Sequence, residues 1–121
     1  DLIGKRIAVL GWAFKANTND SRESAAIYVA EKLYKAGADL KIYDPIVKEE
    51  TIRNDINTIW EKDIDQLCNR ILIFEKIPIT CEVDSYAILT ECDEFKSFDF
   101  SNSIVFDGRY ILDTNLNTNL K

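Results

Sequence analysis

Residues 5–10, Lys-Arg-Ile-Ala-Val-Leu, form a short apolar run that stops at Gly11. The run does not alternate, which predicts a strand covered on both faces. Ala25, Ala26, Val29, Ala30, Leu33 and Tyr34 recur near helical spacing, so a helix is expected over 24–36, with Gly37 as its stop. Asp20 and Glu23 suit a capping box at its start. Residues 38–43 alternate as a second strand and end at the turn signal Asp44-Pro45. One or two helices are expected in 47–67, with Trp60 as a buried anchor, and a third strand over 70–74. Pro78 opens a short helical stretch to Val83; a strand over 85–90, a short helix over 93–98 and a strand over 103–107 follow, the last ending at Gly108. This alternation predicts one α/β domain over 1–121, with a mostly parallel, doubly wound sheet. Right-handed β-loop-α-β units place the loop after the first strand at the carboxyl edge of the sheet, where such proteins hold ligands.

Composition narrows the function. At 121 residues, 46% hydrophobic and 30% charged, the chain can bury a core of its own. A formal charge of −6 with no basic run argues against a nucleic-acid partner. The apolar stretch 7–14 is too short to span a bilayer and meets Lys15 at once, so neither a signal peptide nor a membrane partner is expected. Cys68, Cys81 and Cys92 are far apart, and no histidine joins them in a metal site. A reduced, cytoplasmic setting is the simplest reading. A chain opening at Asp1-Leu2-Ile3 is also expected to be a piece of something longer.

The loop Gly11-Trp12-Ala13-Phe14-Lys15, continuing to Arg22, is the first candidate site. It is not a Gly-x-Gly-x-x-Gly dinucleotide loop, because Ala13 and Ala16 stand where backbone freedom is needed. Lys15 and Arg22 are placed to meet a phosphate with side chains, one as a point charge and the other as a fork, or are two solvated loop residues. Phe106-Asp107-Gly108-Arg109 ends the last strand on the same edge, where Arg109 reaches a shared ligand or pairs with Asp107 at the surface. Asp44 is favoured as a turn cap over a ribose ligand. No catalytic set is evident, and small buried thiols such as Cys81 and Cys92 are commonplace.

Gly11 to Lys15, with Thr18, Asp20, Arg22, Glu23 and Ser24, resembles the Gly-x-Ala-Phe-Lys-x-x-Thr-x-Asp-x-Arg-Glu-Ser signature of nucleotide-sugar dehydrogenases. Tyr43-Asp44-Pro45, Thr90-Glu91-Cys92-Asp93-Glu94-Phe95 and Phe106-Asp107-Gly108-Arg109 are similar to three further segments of that family. The resemblance runs from Gly4 to about Asp113 and is greatest to the UDP-glucose branch. It implies a Rossmann-like three-layer sandwich, the C-terminal, UDP-sugar-binding part of an NAD-dependent enzyme that oxidises UDP-glucose to UDP-glucuronate. It further implies that Phe14, Lys15 and Arg109 contact the substrate and that Arg22 reaches NAD held mainly by a neighbouring domain. The family's remaining domains and a homo-oligomer are the implied partners. Its catalytic cysteine, which holds the aldehyde covalently, has no counterpart motif here, so no catalytic residue is assigned and this chain alone is expected to be inactive. Trp12 and Cys92 depart from the pattern, in place of a smaller or phenyl side chain and of a tryptophan. A nucleotide-binding or regulatory module without dehydrogenase activity, and the same domain from a GDP-mannose or UDP-N-acetylhexosamine enzyme, are the competing readings.

Overall fold

The run Arg6–Leu10 forms β1 because its small and branched side chains find cover on both sides. Ile7 and Val9 enter one core, Ala8 and Leu10 the other. The computed structural model describes residues 2–13, 18–22, 24–67 and 69–108. Around β1 lie β2 (Asp39–Tyr43), β3 (Ile71–Ile73), β4 (Ser85–Ile88) and β5 (Ile104–Asp107), in the order β3-β2-β1-β4-β5. Every pairing among these five is parallel, with Leu10 opposite both Tyr43 and Ile88, and Ile88 opposite Asp107. Chain segments starting at Gly11, Asp44, Leu89 and Gly108 therefore all leave the sheet at its carboxyl edge.

Helices α1 (Ala25–Lys35) and α2 (Glu49–Ile59) cover one face. Ile27, Ala30, Ile52, Ile56 and Trp60 pack there on Val9, Leu40 and Ile42. Trp60 is the expected anchor: its Nε1–H donates to the Ile27 carbonyl at 3.1 Å, and its ring stacks on Tyr34 at 5.8 Å. The opposite face is closed by α3 (Asp93–Ser97) through Phe95, and by Phe100, whose ring meets Tyr86 edge-on at 5.0 Å. Three layers result, with the sheet in the middle.

The segment 47–67 divides into α2 and a 3-10 turn, Ile64–Leu67, while the stretch after Pro78 is a 3-10 turn, Thr80–Glu82. The start of α1 is capped by Ser24, whose hydroxyl accepts the Ala26 N–H, and not by Asp20. Asp20 Oδ1 accepts the Arg22 N–H, and Glu23, the other half of the expected box, lies outside the described residues. Gly37 ends α1 at φ 106°, where a Cβ would also strike Ile3 at 2.6 Å.

Candidate functional site

The strand order reverses between β1 and β4, the position at which sheets of this kind form a ligand crevice. Gly11 makes the exit from β1 with φ 100°; a Cβ there would lie 2.4 Å from the Cβ of Thr90, so only glycine allows the two loops to approach so closely. Its own N–H donates to the Tyr43 carbonyl at 2.8 Å. The next two residues are held from several sides. The N–H groups of Trp12 and Ala13 both donate to Asp44 Oδ2, at 2.8 and 3.1 Å. The Ala13 carbonyl accepts the hydroxyls of Thr90 and Ser24, at 2.9 and 3.2 Å. Asp44 Oδ1 in turn accepts the N–H groups of Ile46 and Val47. Residues of β2's exit, β4's exit and the start of α1 thus converge on the root of one loop. Asp44 is the turn cap that was expected, and it also fastens the first loop to the second.

Further along, Thr18 Oγ1 accepts the Asp20 N–H at 3.1 Å. Asp20 Oδ1 accepts the Arg22 N–H, and its two oxygens take the guanidinium as a fork at 3.0 and 2.9 Å. Arg22 nevertheless keeps 88% of its side chain exposed, with the Nε and Nη2 side of its guanidinium held against Asp20. Phe14, Lys15 and Arg109 lie outside the described residues. The ends of their segments are described: Ala13 and Gly108 both border the edge formed by β1, β4 and β5, the latter donating its N–H to the Ile88 carbonyl at 3.0 Å. Asp107 is buried at the end of β5. A hollow of about 200 Å³ opens on this edge between Ala25, Ala26 and Val29 of α1 and Leu89, Phe106 and Gly108.

Cys92 is buried, and that burial, with Asp44, Glu94 and Asp93 nearby, pushes its thiol up to about 12. Burial likewise raises the Tyr43 phenol, reinforced by the neighbouring Glu94 carboxylate. Cys81 is exposed on its 3-10 turn, and Cys68 lies outside the described residues. No group of acids and thiols among the described residues is arranged to hold a metal ion. Sequence reasoning missed Asp55 of α2, whose Oδ2 accepts both the Trp12 indole N–H, at 2.9 Å, and the Ser21 hydroxyl, at 2.7 Å. Nothing in its local pattern separates it from the other acids of that helix.

A parallel doubly wound sheet with its ligand edge at the β1/β4 reversal defines an α/β domain of the nucleotide-binding kind. The chain belongs to the UDP-glucose/GDP-mannose dehydrogenase family, whose UDP binding domain matches residues 8–114. It is 39% identical over 129 residues to UDP-glucose 6-dehydrogenase 1 of Arabidopsis thaliana, covering 91% of this chain and 27% of that protein. With UDP-glucose 6-dehydrogenase of Drosophila melanogaster it shares 39% identity over 119 residues, covering 90% and 25%. The chain spans about a quarter of the length of these curated relatives. Among solved structures, a UDP-glucose dehydrogenase from the archaeon Pyrobaculum islandicum superposes with a TM-score of 0.77 at 29% identity, over 99% of this chain and 24% of that one. A GDP-mannose dehydrogenase from Pseudomonas aeruginosa shares the fold, with a TM-score of 0.65 at 21% identity over 98% of this chain and 28% of that one.

Proposed function

We propose that this chain is the C-terminal, UDP-sugar-binding domain of an NAD-dependent UDP-glucose 6-dehydrogenase, and that its substrate is UDP-glucose. The observation that carries this reading is the match to the family's UDP binding domain over 8–114, which includes both loops of the crevice. In this reading Phe14 offers an apolar face, while Lys15 and Arg109 neutralise the diphosphate from opposite loops. The locked backbone of Gly11 to Ala13 supports it, since a loop with a fixed root loses less freedom when its side chains engage an anion. The UDP-glucose relatives favour uridine over guanosine.

The cofactor fits this chain only at its rim. A dinucleotide's pyrophosphate is bound by free N–H groups after the first strand, but those of Trp12 and Ala13 are consumed by Asp44. Arg22, exposed and already oriented by Asp20, suits an NAD molecule held mainly by another domain. NAD supplies the hydride acceptor; this chain's residues hold the nucleotide sugar and one edge of the cofactor. The family's catalytic cysteine has no counterpart motif in this sequence, so the chain alone is expected to be inactive in oxidation. Among the described residues no helix is long and apolar enough to cross a membrane. The remaining domains of the same enzyme and further copies of it complete the assembly.

Titrating the purified chain with UDP and, separately, GDP while following backbone amide resonances tests the reading. UDP-selective shifts in residues 11–22 and 106–109 are expected, with Lys15→Ala weakening UDP by about tenfold or more, as expected for loss of a charge-assisted bond. A preference for GDP moves the substrate to the mannose branch. Silence from both nucleotides refutes nucleotide binding by this chain.

A further inference from the structure

We propose that Asp55 is a positioning residue for the nucleotide site, acting from α2 through Trp12 and Ser21; the inference rests on the nucleotide-binding reading above. Its Oδ2 atom accepts the Trp12 indole N–H at 2.9 Å and the Ser21 hydroxyl at 2.7 Å. These two residues bracket the segment that contains Phe14 and Lys15. One oxygen atom therefore fixes the distance that the intervening residues must bridge. Both bracketing residues are buried, and each is also held through its backbone: Trp12 by Asp44, and Ser21 by accepting the Ser24 N–H at 3.1 Å. The helix bearing Asp55 cannot easily follow a moving loop, because Ile52, Ile56 and Trp60 seat it in the core. Trp12 gains a second restraint from Trp60, with ring centroids 6.2 Å apart.

A tie of this kind acts on affinity and not only on stability. Closing both ends of a loop on one acceptor reduces the conformations that must be given up when Lys15 meets an anion. An indole N–H only donates, and a carboxylate only accepts, so the pair is directional and the indole takes a single orientation. Asn at position 55 keeps an acceptor oxygen, whereas Ala removes both bonds.

The test compares Asp55→Ala, Asp55→Asn and the double variant Trp12→Phe with Ser21→Ala, each at a temperature where circular dichroism shows it folded. Dissociation constants for UDP are measured by calorimetry, and the Trp12 indole N–H resonance is recorded. Asp55→Ala and the double variant are expected to bind UDP about tenfold more weakly, with Asn within about twofold of the parent. In Asp55→Ala the indole resonance should move toward that of a free indole. If Asp55→Ala does not fold, the double variant and Asn decide the matter. Unchanged UDP affinity in folded variants overturns the proposal and leaves Asp55 a stability residue. If the parent chain itself ignores UDP, the nucleotide reading fails separately. Asp55 is then judged by amide hydrogen exchange: faster exchange confined to the loop around 12–22 sustains its positioning role, and unchanged exchange there ends it.

Discussion

Four backbone N–H groups converge on the Asp44 carboxylate, two from the loop after β1 and two from the turn after β2. A carboxylate can accept all four because each of its oxygens has two lone pairs, and an ionised acceptor strengthens every bond. An amide cannot, since its nitrogen has no lone pair to offer. Asp44→Asn should therefore leave two buried donors facing an NH2 group and destabilise the fold by about 2–4 kcal/mol, measured by urea unfolding. The turn signal Asp44-Pro45 made the donors of Ile46 and Val47 legible in the sequence. The other two donors, 31 and 32 residues back along the chain, become neighbours only once β1 and β2 pair in register. Asp55 was hidden for the same reason: its partners lie 34 and 43 positions away.

Elements bring these residues together through their ends. Ser24 caps α1 by accepting the Ala26 N–H and also donates to the Ala13 carbonyl, joining the helix start to the loop root. Ser24→Ala should lower unfolding free energy by about 1–2 kcal/mol, again by urea titration, because the cap is lost while Thr90 still serves Ala13. The capping-box pattern placed the start of α1 near its true position but chose the wrong cap. Asp20 precedes the helix by several residues, and its carboxylate accepts the forked guanidinium and the N–H of Arg22. Strands were easier to read. Apolar runs ending at Gly11 and Gly108 marked β1 and β5, and alternation ending at Asp44 marked β2, whereas the segment 47–67 split where the helical spacing of Ile52 and Ile56 gave out beyond Trp60.

At the scale of the whole molecule, the second core stores a response to alkali. Cys92 is raised from 9.0 to about 12 and Tyr86 from 10.0 to about 12, each chiefly by burial, and Tyr43 is raised as well. Above pH 9 the unfolded chain begins to release these protons while the folded chain retains them. The unfolded state then binds fewer protons, so stability falls with rising pH. Their contribution should be intact below about pH 9 and progressively lost toward pH 12. Thermal melts from pH 8 to 11 check this, and Cys92→Ala should flatten the earliest part of the decline.

The residue order alone determined the α/β alternation, the parallel sheet, the carboxyl-edge position of the first loop and the family signature, because these depend on local periodicity and on the fixed hand of crossover connections. Only the folded chain decided how that loop is held: that Asp44 takes the two N–H groups a dinucleotide would need, that Thr90 and Ser24 share one carbonyl, and that Asp55 closes the loop from a helix on the far side of β2 in sequence. Hydrogen bonds between residues tens of positions apart have no periodicity to announce them. They exist because burial leaves each polar group to find a partner among whatever the packed elements bring within reach.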